Sequence, residues 1–72
     1  MLLPDTIIRI VSSGGGVSID ASRYMPDTLV RIASAAASSG AEVIIRNVRF
    51  LLPDTMTRIA SAGRGKIMFI ID

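Results

Sequence analysis

The sequence predicts an α/β fold in which three helix–strand repeats form a small parallel sheet in order 1-2-3. The helices stack on one face, as in a solenoid. The first observation behind this is an internal repeat. Segment 2–14 reads LLPDTIIRIVSSG, segment 24–36 reads YMPDTLVRIASAA, and segment 51–63 reads LLPDTMTRIASAG. The first and third agree at 9 of 13 positions, the second and third at 8 of 13. Their Pro-Asp-Thr starts at Pro4, Pro26 and Pro53 lie 22 and 27 residues apart. Periods of this length mark arrays whose single units cannot bury their own apolar face. The second observation is that a glycine stop and a short β-branched run follow each Pro-Asp-Thr segment. Strict helix–strand alternation implies parallel strands joined by right-handed crossovers.

Each element has a local reason. Proline fits the first helical turn, where its missing N–H costs nothing, and the adjacent aspartate suits the positive end of the helix dipole. In the second unit Leu29, Ile32, Ala33 and Ala36 fall at i, i+3, i+4 and i+7, an apolar stripe. The matching stripes are Ile7, Ile10 and Val11 in the first unit, and Met56, Ile59 and Ala60 in the third. Gly14 to Gly16, Gly40, and Gly63 with Gly65 close the helices. The strands are expected at Val17–Asp20, Glu42–Val48 and Lys66–Asp72. Residues 1–72 thus form one repeat domain, with units at about 1–20, 21–46 and 47–72.

Composition narrows the chemistry. The 72 residues contain no Cys and no His, so disulfides, ordinary zinc and haem sites, and triads built on imidazole are excluded. No cofactor is expected. Eight Lys/Arg against six Asp/Glu give a net charge of +2, too balanced for a polyanion-binding tail. The longest apolar run, Ile67 to Ile71, is five residues, far short of the roughly 18 that a membrane span needs. Asp5 and Arg9 interrupt the apolar start, unlike a signal peptide. With the absent cysteines this gives a cytoplasmic expectation. A chain this small buries only roughly 60% of its unfolded surface, which favours further support from another copy.

Several constellations carry competing readings. Asp5/Arg9, Asp27/Arg31 and Asp54/Arg58 repeat at i, i+4 and read as stabilising helix pairs, worth about 0.2–0.5 kcal/mol each. Three carboxylates beside the arginines oppose a phosphate stripe. Gly14-Gly15-Gly16 follows a helix and precedes a strand, the reverse of a phosphate loop, so it reads as a helix stop. The strand-to-helix loops 20–24 and 46–50 pair Arg23 with Tyr24 and Arg49 with Phe50, beside Arg46 and Asn47. Arginine next to an aromatic suits a carboxylate, phosphate or stacked base. Arg23, Arg46 and Arg49 are therefore the candidate anion or nucleic-acid site. The structural account makes Tyr24 and Phe50 core plugs under the helix starts. For catalysis, Asp20 and Asp72 would have to align with Arg46 at the strand ends, without a dry pocket to tune them; no enzyme is expected.

Side chains alternate between sheet faces. If Val17, Ile19, Val43, Ile45, Phe69 and Ile71 face the helices, then Ile44, Met68 and Ile70 form an apolar patch on the uncovered face. Parallel sheets are normally covered on both sides, so this patch is a candidate interaction surface. The third strand, with Ile67 and Phe69, is the most apolar and lacks the polar cap of a terminal repeat. Its edge offers unpaired backbone groups to another chain. At the other end Met1-Leu2-Leu3 and the first helix have no preceding strand. The expected partner is another copy, in a closed oligomer or filament, or another protein; face-to-face sheet packing is the competing geometry.

The Val-x-Ile strands and Asn47 resemble the strand and asparagine positions of leucine-rich repeats, over nearly the whole chain. Isoleucine and valine replace that family's spaced leucines, and the aligned partner of Asn47 is taken as Ala21. The resemblance implies a protein-interaction scaffold and carries over no activity. The near-identical repeats and the ending at a strand leave three origins open: a natural mini-repeat protein, a fragment, or an engineered piece of a longer array.

Overall fold

The computed structural model describes residues 3–71. Helices α1 (Pro4–Ser12), α2 (Pro26–Ser39) and α3 (Pro53–Gly63) alternate with strands β1 (Val17–Asp20), β2 (Val43–Arg46) and β3 (Ile67–Phe69). Single 3-10 turns, Ala21–Arg23 and Val48–Phe50, lead from β1 to α2 and from β2 to α3. The strands pair in parallel, in order β1-β2-β3, with Val17, Val43 and Ile67 in one register row. Helix α2 packs against both α1 and α3. The fold class is the one expected from the repeat.

Prolines at Pro4, Pro26 and Pro53 start the helices, and Leu3, Met25 and Leu52 precede them without a side-chain cap. Proline removes one of the orphan N–H groups that a cap would otherwise serve. At the far ends left-handed residues stop the turns: Gly40 at φ 83° after α2, and Arg64 at φ 50° followed by Gly65 after α3.

The core is one layer between helices and sheet. Leu29, Ile32, Ala33 and Ala36 of α2 are all buried, as their spacing requires, and meet Val43 and Ile45 of β2. Ile7 and Val11 of α1, Ile19 of β1 and Ile59 of α3 complete it. Two members of the expected stripes are not in the core: Ile10 and Ala60 are exposed. Each lies on an outermost helix, turned from the middle of the row.

Two strands are shorter than expected. β2 ends at Arg46 because Asn47 takes a left-handed conformation, φ 59° and ψ 53°, that breaks the pleat. β3 covers Ile67–Phe69, although the Ile70 N–H still donates to Ile45 O at 3.0 Å. Asp72, Met1 and Leu2 lie outside the described residues.

The intrahelical ion pairs expected at i, i+4 are replaced by one between helices. Arg58 of α3 lies 3.9 Å from Asp27 of α2, the single salt bridge among the described residues. Both side chains are well exposed, so the pair contributes at most about 1 kcal/mol. Ser39 at the end of α2 does more to join the units. Its Oγ–H donates to Val11 O at 2.6 Å, and its Oγ accepts from the Ala41 N–H at 3.2 Å.

Gly63, buried at the last turn of α3, meets Ile67 so closely that an added Cβ would overlap Ile67 Cγ1. Gly63→Ala should therefore destabilise by about 1–3 kcal/mol, despite alanine's better helix propensity. Urea unfolding of the single variant, and of the variant in an Ile67→Ala background where the cost shrinks, checks this.

Candidate functional site

The candidate residues that the structure describes lie at the strand ends, on the open sheet face and along β3. At the carboxyl ends of β1 and β2 the loops are joined by side-chain hydrogen bonds. Asn47 Nδ2–H donates to Asp20 Oδ1 and to Ser22 Oγ, both at 3.2 Å. Asp20 Oδ1 also accepts from the Ser22 N–H at 2.9 Å and the Ser22 Oγ–H at 2.6 Å. Beneath them Arg46 Nε–H donates to Ser18 Oγ at 2.9 Å. This cluster ties the first unit's loop to the second's through polar groups alone.

The geometry corrects the alignment of the loops. Ala21 and Val48 both open the 3-10 turns and both are buried, while Tyr24 and Leu51 both pack on the core just before the helix. Val48, not Asn47, is therefore the counterpart of Ala21. Asn47 is an inserted residue, and its left-handed backbone absorbs the insertion. In consequence Arg23 corresponds to Phe50 and Arg49 to Ser22, so the Arg–aromatic pairs do not repeat in space. Tyr24 is half-buried against the core, but Phe50 is exposed and no core plug.

Arg46, Asn47 and Arg49 line one cleft of about 610 Å³, with Asp20, Val48, Met56, Ile70 and Ile71. Arg23 lies instead in a neighbouring groove beside β1, which Asp20 and Arg46 also line. Arg23 and Arg49 therefore line different clefts, and Arg46 is common to both. The Asp20 carboxylate stands among them. Its pKa is held below the ordinary value of 3.8, first by the hydrogen bond from the Ser22 hydroxyl, then by that from the Ser22 N–H, with Asn47 and Arg23 adding to the effect. An ionised Asp20 opposes an anion and is no general acid at neutral pH.

On the open sheet face Ile44 and Met68 are direct register partners, and Ile70 follows on the same side. Met68 and Ile70 are exposed and Ile44 is half-buried. Ile67 and Phe69 point the other way and are half-buried against the core, so their side chains belong to the helix face. What they offer outward is backbone. Lys66 O accepts from the Val43 N–H, and the Ile70 N–H donates to Ile45 O. Alternation along a parallel strand then turns the N–H and C=O groups of Ile67 and Phe69 to the free edge. At the opposite edge Val17 N–H donates to Glu42 O, which leaves the backbone groups of Ser18 and Asp20 facing outward.

Among the described residues no cluster of three potential ligands could hold a metal ion, and no helix is long and apolar enough to cross a membrane.

The feature missed in sequence was the Asn47 insertion. Its signal was present in the change of period from 22 to 27 residues. The loop cluster makes a pH-dependent contribution. Because the folded pKa of Asp20 is lowered, its ionised form stabilises the fold above the ordinary carboxylate value, and this is lost as pH falls through the lowered one. Carboxyl-detected NMR titration should give Asp20 a midpoint below 3.8, raised more by Ser22→Ala than by Asn47→Ala. In thermal melts Asn47→Gly should be less destabilising than Asn47→Ala, since glycine keeps the left-handed turn; the difference is about 1 kcal/mol.

Compared with protein-family models, with curated proteins and with solved structures, the chain matches none of them.

Proposed function

We propose that this chain is a non-catalytic repeat module that assembles end to end with copies of itself and serves as a structural or interaction scaffold. In this arrangement α1 and β1 of one copy continue the helix row and the sheet beyond α3 and β3 of another. One observation carries the reading. The apolar residues exposed at the two ends are the counterparts of residues buried between units. Ile10 of α1 is 37% exposed, whereas its equivalents Ile32 and Ile59 are 1% and 0% exposed. Ala60 of α3 is exposed, whereas its equivalents Val11 and Ala33 are buried. The ends therefore carry the two halves of an interface that the chain already makes twice internally. A head-to-tail contact of this kind gives a ring when it closes and a filament when it does not.

Backbone and charge favour the same arrangement. The outward groups of Ile67 and Phe69 at one edge match those of Ser18 and Asp20 at the other, in the register that the internal strands keep. The contact of Arg58 with Asp27, moved on by one unit, would set Arg9 of one copy near Asp54 of the next. The open patch of Ile44, Met68 and Ile70 lies to the side and stays available to another protein. Anion binding has weaker support, because Arg46 is engaged by Ser18, Arg23 and Arg49 line different clefts, and Asp20 brings negative charge.

Sedimentation at micromolar concentration should find the chain as oligomers. Ile10→Asp or Ala60→Lys should remain folded and lower the association constant about tenfold or more, since burial of one large aliphatic side chain is worth roughly 1.5–3 kcal/mol. Met68→Lys should leave assembly intact; if it alone dissociates the oligomer, the sheets pack face to face. A folded wild-type chain that is strictly monomeric overturns self-association.

A further inference from the structure

We infer that the edge of the layer at which the three helices begin is an interface between two copies of this chain. The apolar row Leu3, Met25 and Leu52 of each copy lies on that of the other, about a two-fold axis that runs along the row. This surface is distinct from the two ends of the row of units and from the open sheet face, and it is independent of end-to-end assembly.

The repeat itself builds the row. Leu3, Met25 and Leu52 each occupy the cap position before a helix-starting proline, and none makes a side-chain cap. Serine, threonine, aspartate or asparagine would serve the free N–H groups at such a position. Every unit instead places a large apolar side chain there and leaves it 69% to 72% exposed. Phe50, 74% exposed, joins the row from the turn before α3. The opposite edge, where helices end and strands begin, is different. Residues 13–16, 39–42 and 63–66 are Ser, Gly, Ala, Glu, Arg and Lys, with no exposed large apolar side chain among them. The apolar surface thus belongs to one edge, and a grouped patch of this kind marks an interaction surface.

Charge selects the partner. Both strand-to-helix connections cross this edge from the sheet to the helices and carry, in order, an arginine, the apolar residue and an aspartate. These are Arg23, Met25 and Asp27 in one unit, and Arg49, Leu52 and Asp54 in the next. The arginines lie on the sheet side of the row, where they line the clefts at the strand ends. The aspartates lie on the helix side, in the first turns of α2 and α3, where Asp27 meets Arg58. Arg23, Arg49 and Asp54 form no salt bridge among the described residues. An apolar row with one positive and one negative flank is complementary to itself. A half-turn about the row keeps the order of the units and exchanges the flanks. Arg23 and Arg49 of one copy then face Asp27 and Asp54 of the other, and the reverse, as an isologous contact requires. An anionic lipid surface would instead repel the aspartate flank. Within the row a groove of about 380 Å³, walled by Tyr24, Pro26, Phe50 and Leu51, offers a recess to an apolar side chain of the facing copy.

Charge exchange tests this in chains that also carry Ile10→Asp, which disables the end-to-end contact. The Ile10→Asp chain should sediment as a dimer at micromolar concentration. Adding Met25→Ser with Leu52→Ser should reduce it to a folded monomer by circular dichroism and sedimentation, since serine suits both cap positions. In one further copy Arg23→Asp and Arg49→Asp make both flanks negative; in another Asp27→Arg and Asp54→Arg make both positive. Each of these alone should lose dimer affinity by roughly tenfold or more through like-charge repulsion, and their equimolar mixture should recover it as a heterodimer. A monomeric Ile10→Asp chain beside a wild type that associates overturns the edge interface and leaves the end-to-end reading standing. If the wild type is monomeric too, both fall. A dimer that survives the two serine substitutions overturns the edge interface, and a mixture no tighter than its two components overturns the two-fold pairing.

Discussion

The structure depends on the burial of one aliphatic stripe. Leu29, Ile32, Ala33 and Ala36 of α2 lie against Val43 and Ile45 of β2, with almost no solvent reaching any of them. Every other element is held by reference to this pair. α1 and α3 pack on the two flanks of α2, and β1 and β3 pair with the two edges of β2. The alanines permit it: small side chains at Ala33 and Ala36 let neighbouring helices approach over strands that are themselves only about 4.8 Å apart. A larger residue there would push the helix row wider than the sheet beneath it. Such a core tolerates few aromatic rings, which accounts for a chain rich in isoleucine, valine and alanine.

Joining the units requires more than apolar contact, because a translated repeat gives no unique end-to-end register. Directional bonds supply it. Ser39 reaches back to Val11 O across the ends of two helices, and Asn47 reaches back to Asp20 and Ser22 across the two loops. They sit at opposite ends of the second unit, so each fixes one end of it against the first. Both arise from residues by which the second unit exceeds the first. Thirteen positions separate Pro4 from Val17, but seventeen separate Pro26 from Val43, and Asn47 adds one more after β2. The longer period is thus the source of the polar connections between units.

Much of this was legible in the residues. The repeated Pro-Asp-Thr starts located all three helices, the α2 stripe was identified residue by residue, and alternation assigned the two faces of the sheet except at Ile71, which lies past the end of β3 and is exposed rather than turned to the helices. What was not legible depended on neighbours. Ile10 and Ala60 belong to the same stripe pattern as Ile32 and Ala33, and nothing local distinguishes them; their exposure follows from lying at the ends of the row. The aspartate–arginine spacing is equally compatible with a bond along one helix or across two, and helix spacing selected the pair Arg58–Asp27. The Asn47 insertion was hidden because matching Arg-aromatic dipeptides, Arg23-Tyr24 and Arg49-Phe50, suggested an alignment one residue away from the true one.

Small size by itself does not account for the open ends. A monomer of 7.6 kDa is expected to expose about 4,300 Å², and this chain exposes 4549 Å². It is therefore nearly as well folded upon itself as an ordinary monomer, and no large fraction of its core is missing. In the proposed assembly, the drive to associate would come from the kind of surface at the ends. A chain that closed its own row would place polar residues at the positions of Ile10 and Ala60, and would cover or charge the edge at Ile67 and Phe69. Here those positions keep the residues of internal units. In the proposed assembly these residues would repeat, between copies, a contact that the fold already makes twice.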